Sequence, residues 1–346
     1  MKKNKLFLAI VSLGMMGGLL SSCHNEKNEF EDFEGGTSVY FAYQYPVRTI
    51  VLGNDPVVDN SLDNQHKCAI YATMGGAYSG KNITLDIRVA NELCDNLYYE
   101  DGSPVLAMPS SHYTLASNKI DYKGDLWGYV EVQLNDAYFA DAKSLNGDYV
   151  IPVVIEKQQG ASYILSGTPI VDGSTPARTD AGAWDVQPKD FVLYRVKYIN
   201  PWDASYLRHG EDKITENGTT TTAVRRGASV EKDEIVKVST RDITTAVFPV
   251  STTAADGSNV TCDLLLKFDG DNCTISSGTA GMTASGSGKF VKDGEKKSWG
   301  NKDRDAIYLE YTVDFGIKQY ATVDTLVLQT RGTNKLVTFN PVYNAD

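Results

Sequence analysis

Histidine and cysteine are scarce in this 346-residue chain, which holds four of the first and five of the second, and no Cys-x-x-Cys or His-x-x-x-His pair occurs. Ordinary zinc arrangements are thereby excluded. A nucleophile elbow, Gly-x-Ser-x-Gly between a strand and a helix, is also lacking. Ser285-Gly286-Ser287-Gly288 is superficially similar, but its neighbours supply no helix and it reads as a flexible loop. Basic excess is missing as well: 33 Lys+Arg stand against 44 Asp+Glu, a net charge of −11. Binding to a phosphate backbone relies on Lys and Arg, so nucleic acid is discounted as a partner. Finally, no stretch of ten or more residues carries a helical apolar stripe, and the best helical candidate is a short turn around residues 136–145.

Residues 1–22 have the order of a secretory leader: Lys2, Lys3 and Lys5, then an apolar run from Leu6 to Leu20, then small residues before Cys23. The run is interrupted by Ser12, Gly14, Gly17 and Gly18, which is unlike a membrane-spanning helix. Leu20-Ser21-Ser22-Cys23 resembles the lipobox read by the bacterial lipoprotein-processing peptidase. That resemblance implies lipidation at Cys23, with acyl chains entering the bilayer at ~0.8 kcal/mol per buried methylene. Without the three lysines of the leader, 30 basic residues remain against 44 acidic ones, a balance of −14.

Residues 23–36 are polar and acidic and read as a lipidated flexible tether. From Thr37 the hydrophobic period is two. Ile83, Leu85, Ile87 and Val89 alternate with polar residues, and the pattern returns over 129–134 and 149–155 between Gly-, Asn- and Asp-bearing turns. Residues 37–168 therefore predict a β-sandwich. Residues 169–188 collect Pro, Gly, Ser and Thr and predict a linker. Alternation resumes over 189–343, at Val192 to Tyr198, Leu264 to Phe268 and Ile307 to Phe315. An antiparallel up-and-down barrel, or a second sandwich, fits those strands and short links.

Four cysteines follow Cys23. Around the turn Asp269-Gly270-Asp271-Asn272, Cys273 falls opposite Phe268, leaving Cys262 six residues further along. That is ~20 Å at strand rise, against the ~7 Å between Cα atoms that a disulfide tolerates, so no bridge is predicted there. Whether Cys68 and Cys94 meet depends on whether their strands are neighbours. The same Asp-Gly-Asp-Asn run offers oxygen ligands of the kind calcium takes, but a hairpin turn wants those residues for backbone reasons. No metal or cofactor is expected.

Ser111-His112-Tyr113-Thr114-Leu115, Ile120 with Gly124, and Gly147-Asp148-Tyr149-Val150-Ile151-Pro152 resemble an immunoglobulin-like family of unknown function. It fronts Bacteroidetes surface lipoproteins and also some family-18 endoglycosidases. Val196-Lys197-Tyr198-Ile199-Asn200 with Tyr206-Leu207-Arg208-His209-Gly210 is similar to the opening of the lipocalin-like barrels that follow such domains. The resemblance implies a protein lipid-anchored at the outer membrane and exposed on the cell surface, binding an oligo- or polysaccharide beside an outer-membrane importer. The endoglycosidase barrel and its acidic motif are absent from these residues, so no catalytic residues are carried over.

Sugar binding asks for exposed aromatic rings beside polar side chains. The candidates are Trp202 and Trp299 in polar loop settings, Trp127 opening a strand, and Tyr98-Tyr99 beside Glu100 and Asp101. Two of the three tryptophans lie in the distal half, which places the expected binding surface on the barrel with the sandwich as spacer. Two other readings stay open: a structural or adhesive, fimbria-like subunit, and a glycosidase of unrecognised type, which would need two positioned carboxylates ~5–10 Å apart.

Overall fold

The computed structural model describes residues 31–333 and 336–345, so the leader, the Cys23 lipidation position and most of the tether lie outside the described residues. The chain is nearly all β, 52% strand and 8% helical, with a curled sheet followed by a closed eight-stranded antiparallel barrel.

The curled sheet is built from β1 (Ser38–Tyr40), β2 (Pro46–Val51), β3 (Lys67–Gly75), β4 (Thr84–Val89), β5 (Lys119–Asp121), β6 (Trp127–Leu134), β7 (Tyr149–Gln159) and β8 (Phe191–Ile199). Their hydrogen-bonded order is β1-β3-β6-β5-β4-β7-β8-β2. Short β5 joins the two halves by pairing with both β4 and β6, so the layers of the expected sandwich form one continuous sheet folded over its core. Val39, Ile70, Leu85, Ile120, Val132, Ile151, Val153 and Val196 fill the space between them. The expected helical turn forms as two one-turn helices, Asp136–Ala140 and Ala142–Asn146, the second capped by the Asp141 side chain.

Strand β8 was expected on the barrel side of the linker. It instead pairs antiparallel with β7 and parallel with β2, inside the curled sheet. The reason is visible in its composition: Phe191, Val192, Leu193, Tyr194, Val196 and Tyr198 are all buried, as a strand covered on both faces requires. The expected linker, 169–188, is not bare either, since Thr168–Pro169 pairs with Trp184–Val186.

The second domain follows as β9 (Ala204–Glu216), β10 (Thr219–Arg225), β11 (Glu234–Thr240), β12 (Thr245–Thr253), β13 (Asn259–Asp269), β14 (Asn272–Ser277), β15 (Thr283–Glu295), β16 (Arg304–Asp314) and β17 (Gln319–Thr330), of which β9 and β11 to β17 are the eight that close and β10 pairs with β9 alone. Closure comes from β9 pairing with β17 along its length. The other edge of β9 is shared end to end, β11 taking Ala204–Arg208 and β10 taking Gly210–Glu216. Phe248, Leu264, Leu266, Ile307, Leu309 and Leu326 fill the interior. The hairpin register pairs Phe268 with Cys273, as the turn arithmetic requires, and Cys262 and Cys273 are separate buried thiols. Cys68 and Cys94 are likewise unbridged. The Ser285–Gly288 stretch, read from sequence as a loop, lies within β15. A Cβ on Gly286 would meet the Tyr311 backbone at 2.6 Å and one on Gly288 would meet Leu309 at 2.5 Å, so the glycines let β16 side chains fill that side of the barrel.

The tail after the barrel returns to the first domain. Val337–Thr338 adds to the β2 edge, Val342–Tyr343 pairs with Leu97–Tyr98, and Phe339 is buried against Tyr45 and Tyr99. Arg331 fastens the crossing: its guanidinium donates to the carbonyls of Leu52, Asn54, Asn200 and Asp203. The barrel domain thus ends near Arg331, earlier than residue 343.

Candidate functional site

On the outer face of the curled sheet, the β3–β6 register sets Tyr71 opposite Tyr129 and Thr73 opposite Trp127. Directly paired residues on one face lie within contact distance. The rings make a cluster, with Tyr71 at 5.4 Å from Trp127 and 5.3 Å from Tyr129, and Trp127 at 6.3 Å from Tyr129. Each stays about half exposed, at 52%, 46% and 46% for Tyr71, Trp127 and Tyr129. Gly128 holds the two β6 aromatics in this register, because a Cβ there would sit 2.8 Å from the Asp121 carbonyl and the Ile120 and Tyr122 side chains.

Polar groups surround the rings. Asp121 pairs with Tyr129 across β5 and β6 and accepts from the Thr84 hydroxyl at 2.6 Å. Glu131 stands two residues on from Tyr129 on the same face, paired with Lys67 at 3.2 Å. Lys119 is paired with Asp86. Lys119, Asp121, Lys123, Asp125 and Glu131 line a cleft along Trp127 and Tyr129. Partial burial pushes the Tyr71 hydroxyl above its ordinary pKa, and Tyr129 and Glu131 add to the shift. The site therefore combines exposed ring faces with a rim of hydrogen-bonding side chains.

Of the residues singled out from sequence, Trp127 alone joins this cluster. Trp202 is buried, stacked on Phe268 at 3.7 Å and 7°, and closes one end of the barrel core. Its polar neighbours are structural: Asn200 donates to the carbonyls of Asp242 and Thr245, and Asp203 accepts from Thr240. Tyr99 is buried too, between Phe339 and the Arg195 guanidinium, which lies 4.2 Å from its ring. Neither ring has a face left for a sugar. Trp299 is half-buried with Arg304 at 4.4 Å over its ring, and Tyr98 is half-buried in the strand pair that receives the tail. The contiguous exposed aromatic cluster thus lies on the first domain, whereas the binding surface was expected on the barrel. Tyr71 and Tyr129 were missed, although Tyr129 shares its strand parity with Glu131 and Gln133, the polar side of the alternation.

Two histidine–carboxylate contacts lie elsewhere. His112 Nε2 is 3.1 Å from Asp141, which also accepts from Tyr149 at 2.8 Å, and Ser111 Oγ is 3.1 Å from His112 Nδ1. Asp141 is the helix cap named above, so this chain of contacts ties a loop to a helix. His209 meets buried Asp233 at 2.9 Å, and the same carboxylate accepts from the Gly227 backbone. Among the described residues, no group of three or more His, Cys, Asp or Glu side chains is placed to hold a metal ion. Asp269 and Asn272 form the closing pair of a hairpin.

Comparison with known proteins follows these boundaries. A domain of unknown function, DUF5627, matches residues 201–332, the span of the barrel, and a model described as an N-terminal domain matches residues 32–162. A solved structure of unknown function from Bacteroides ovatus is 45% identical, with a TM-score of 0.85 over 91% of this chain and 100% of that one. The chain belongs to that protein's family. A second solved structure, a candidate carbohydrate binding protein from Bacteroides ovatus ATCC 8483, shares 10% identity at a TM-score of 0.27 over 88% of this chain and 100% of that one, too distant to carry an argument. No curated protein matches.

Inside the barrel, this family member carries a buried charged cluster. Asp324 accepts from Arg208 at 2.9 Å, Arg225 at 2.7 Å and the Tyr311 hydroxyl at 2.9 Å. Asp212 accepts from Arg225 at 2.6 Å and from the Thr322 hydroxyl at 2.7 Å. Burial acts to raise Asp212, but the bonds from Arg225 and Thr322 and the guanidinium charges hold it below the ordinary carboxylate range. Such a cluster is expensive to desolvate and costly to break once formed. Its carboxylates are held by the arginines and hydroxyls around them, while Arg225 Nη1 is buried without a hydrogen-bond partner.

Proposed function

We propose that this chain is a non-enzymatic, lipid-anchored protein of the outer-membrane surface that captures glycan through the Tyr71–Trp127–Tyr129 face and presents it to a neighbouring importer. The observation that carries the reading is the contact of three half-exposed aromatic rings on one polar-rimmed sheet face. Single exposed aromatics are ordinary, whereas a contiguous patch rimmed by polar groups marks an interaction site. A sugar offers an apolar C–H face to a ring and hydroxyls to the surrounding carboxylates and amines.

The anchor rests on the Leu20–Cys23 lipobox. Asp32 is bonded to Lys81 and to the Tyr78 backbone, beside the Asp125 turn that leads into Trp127. The nine residue steps from Cys23 to Asp32 reach at most ~30 Å. A membrane-embedded importer is then within range of the aromatic face. An adhesive-subunit reading asks for a free sheet edge into which another chain can insert. The start of the β2 edge, Pro46–Val47, is already taken by the chain's own Val337–Thr338.

Screening the mature chain against immobilised plant and host glycans tests the proposal. Retention of at least one glycan, lost in Trp127→Ala, is the expected result. Failure to retain any, or retention indifferent to Trp127, would refute it. Extraction of the native protein with the outer-membrane fraction tests the anchor separately.

A further inference from the structure

Resting on the glycan-binding reading above, we infer that the aromatic face takes one neutral pyranose unit, at a chain end or a branch, rather than a run of main-chain sugars. A platform for an extended chain needs rings in line and nearly coplanar, so that successive sugars each meet a ring. Here all three centroids fall within 6.3 Å of one another, and the ring planes are inclined by 62°, 40° and 35°. That is a compact, angled cluster about the width of one sugar ring.

The rim fixes the ligand's charge. Asp121 touches the Thr84 hydroxyl and carries no cationic partner among the described residues. Glu131 is matched by Lys67 and Lys119 by Asp86, which leaves Lys123 and Asp125 in the turn before Trp127. Setting aside the paired Glu131 and Lys119, two carboxylates, Asp121 and Asp125, line the cleft against one lysine, Lys123. Ionised carboxylates accept hydrogen bonds and donate none, so they suit sugar hydroxyls. A uronic acid or sulfated sugar brings like charge to this rim, and no arginine is among the residues lining the cleft to receive it.

The test is calorimetric titration of the mature chain with neutral gluco-, galacto- and mannopyranoside series, each from methyl glycoside to hexasaccharide, and with the matching uronate series. Expected for the series that binds is a gain of less than about threefold from disaccharide to hexasaccharide, and uronates weaker by about fivefold or more at low salt, a gap that salt narrows. Asp121→Asn, which removes one rim charge, is expected to narrow the neutral-to-uronate gap. A gain above about tenfold with length, or uronates bound as tightly as neutral sugars, overturns the inference while leaving glycan capture standing. If Trp127→Ala changes no titration, or if no sugar binds and Trp127→Ala instead abolishes co-sedimentation with phosphatidylethanolamine–phosphatidylglycerol vesicles, capture itself fails and the inference with it.

Discussion

Replacing Asp324 by alanine removes the centre of the barrel's charged cluster. The carboxylate is fully buried and accepts four hydrogen bonds, from Arg208 Nε and Nη2, Arg225 Nη2 and the Tyr311 hydroxyl. Without it Arg225 keeps Asp212, but Arg208, whose side chain is 11% exposed, keeps the neutral Tyr311 hydroxyl at 3.1 Å and, as counter-charge, Glu234 at 3.6 Å on the solvent side. Leaving a buried charge uncompensated costs about 3–5 kcal/mol. That is a large share of the ~5–15 kcal/mol that holds a domain together. At a urea dependence of ~1–3 kcal/mol per molar, the barrel's unfolding midpoint falls by roughly 2 M. Fluorescence of Trp202, stacked on Phe268 in the same core, follows that transition, with Trp202→Phe as the blank that removes its signal. A change below about 0.5 kcal/mol, the size seen at open surface positions, would refute the reasoning. Replacing Arg208 and Asp324 together by Met and Leu, with Arg225 left on Asp212, is expected to recover most of the loss, since an apolar filling needs no desolvation.

Asp212 sets a pH dependence whose sign follows from its depressed pKa. Its stabilising contribution is present above the unfolded value of ~3.9 and is lost as pH falls through the folded value, so melting at pH 6 and pH 3 is expected to differ less in Asp212→Asn than in the wild type. Arg331→Ala removes the guanidinium shared by Leu52, Asn54, Asn200 and Asp203, and calorimetry is expected to resolve two domain transitions where the wild type shows closer coupling. Phe339→Ala, at about 3–5 kcal/mol for a buried phenylalanine, is expected to free the tail, seen as faster amide exchange at Val337 and Val342 with the barrel amides unchanged.

The barrel was legible because its signals are local. Alternation at Leu264–Phe268 and Ile307–Phe315 names the inward face, and the Asp269–Asn272 turn fixes register within a residue. Strand β8 was harder, since periodicity identifies a strand without saying which sheet it joins; its long buried run was the clue. Trp202 misled because Asn200 and Asp203 look like polar loop residues, when their side chains are consumed by backbone and threonine partners. The aromatic face was half legible. Trp127 and Tyr129 sit on the polar parity of their strand, but Tyr71 meets them only through the β3–β6 pairing, and a contact between residues 58 positions apart has no local signal.

The most direct measurement is a paired calorimetric titration of Trp127→Ala and Trp299→Ala against whichever glycan the wild type retains. The account predicts affinity weakened about tenfold or more, ~1.4 kcal/mol, for Trp127→Ala and unchanged for Trp299→Ala, whose ring is occupied by Arg304. Wild-type affinity in Trp127→Ala with loss in Trp299→Ala would contradict it and move the binding surface to the barrel.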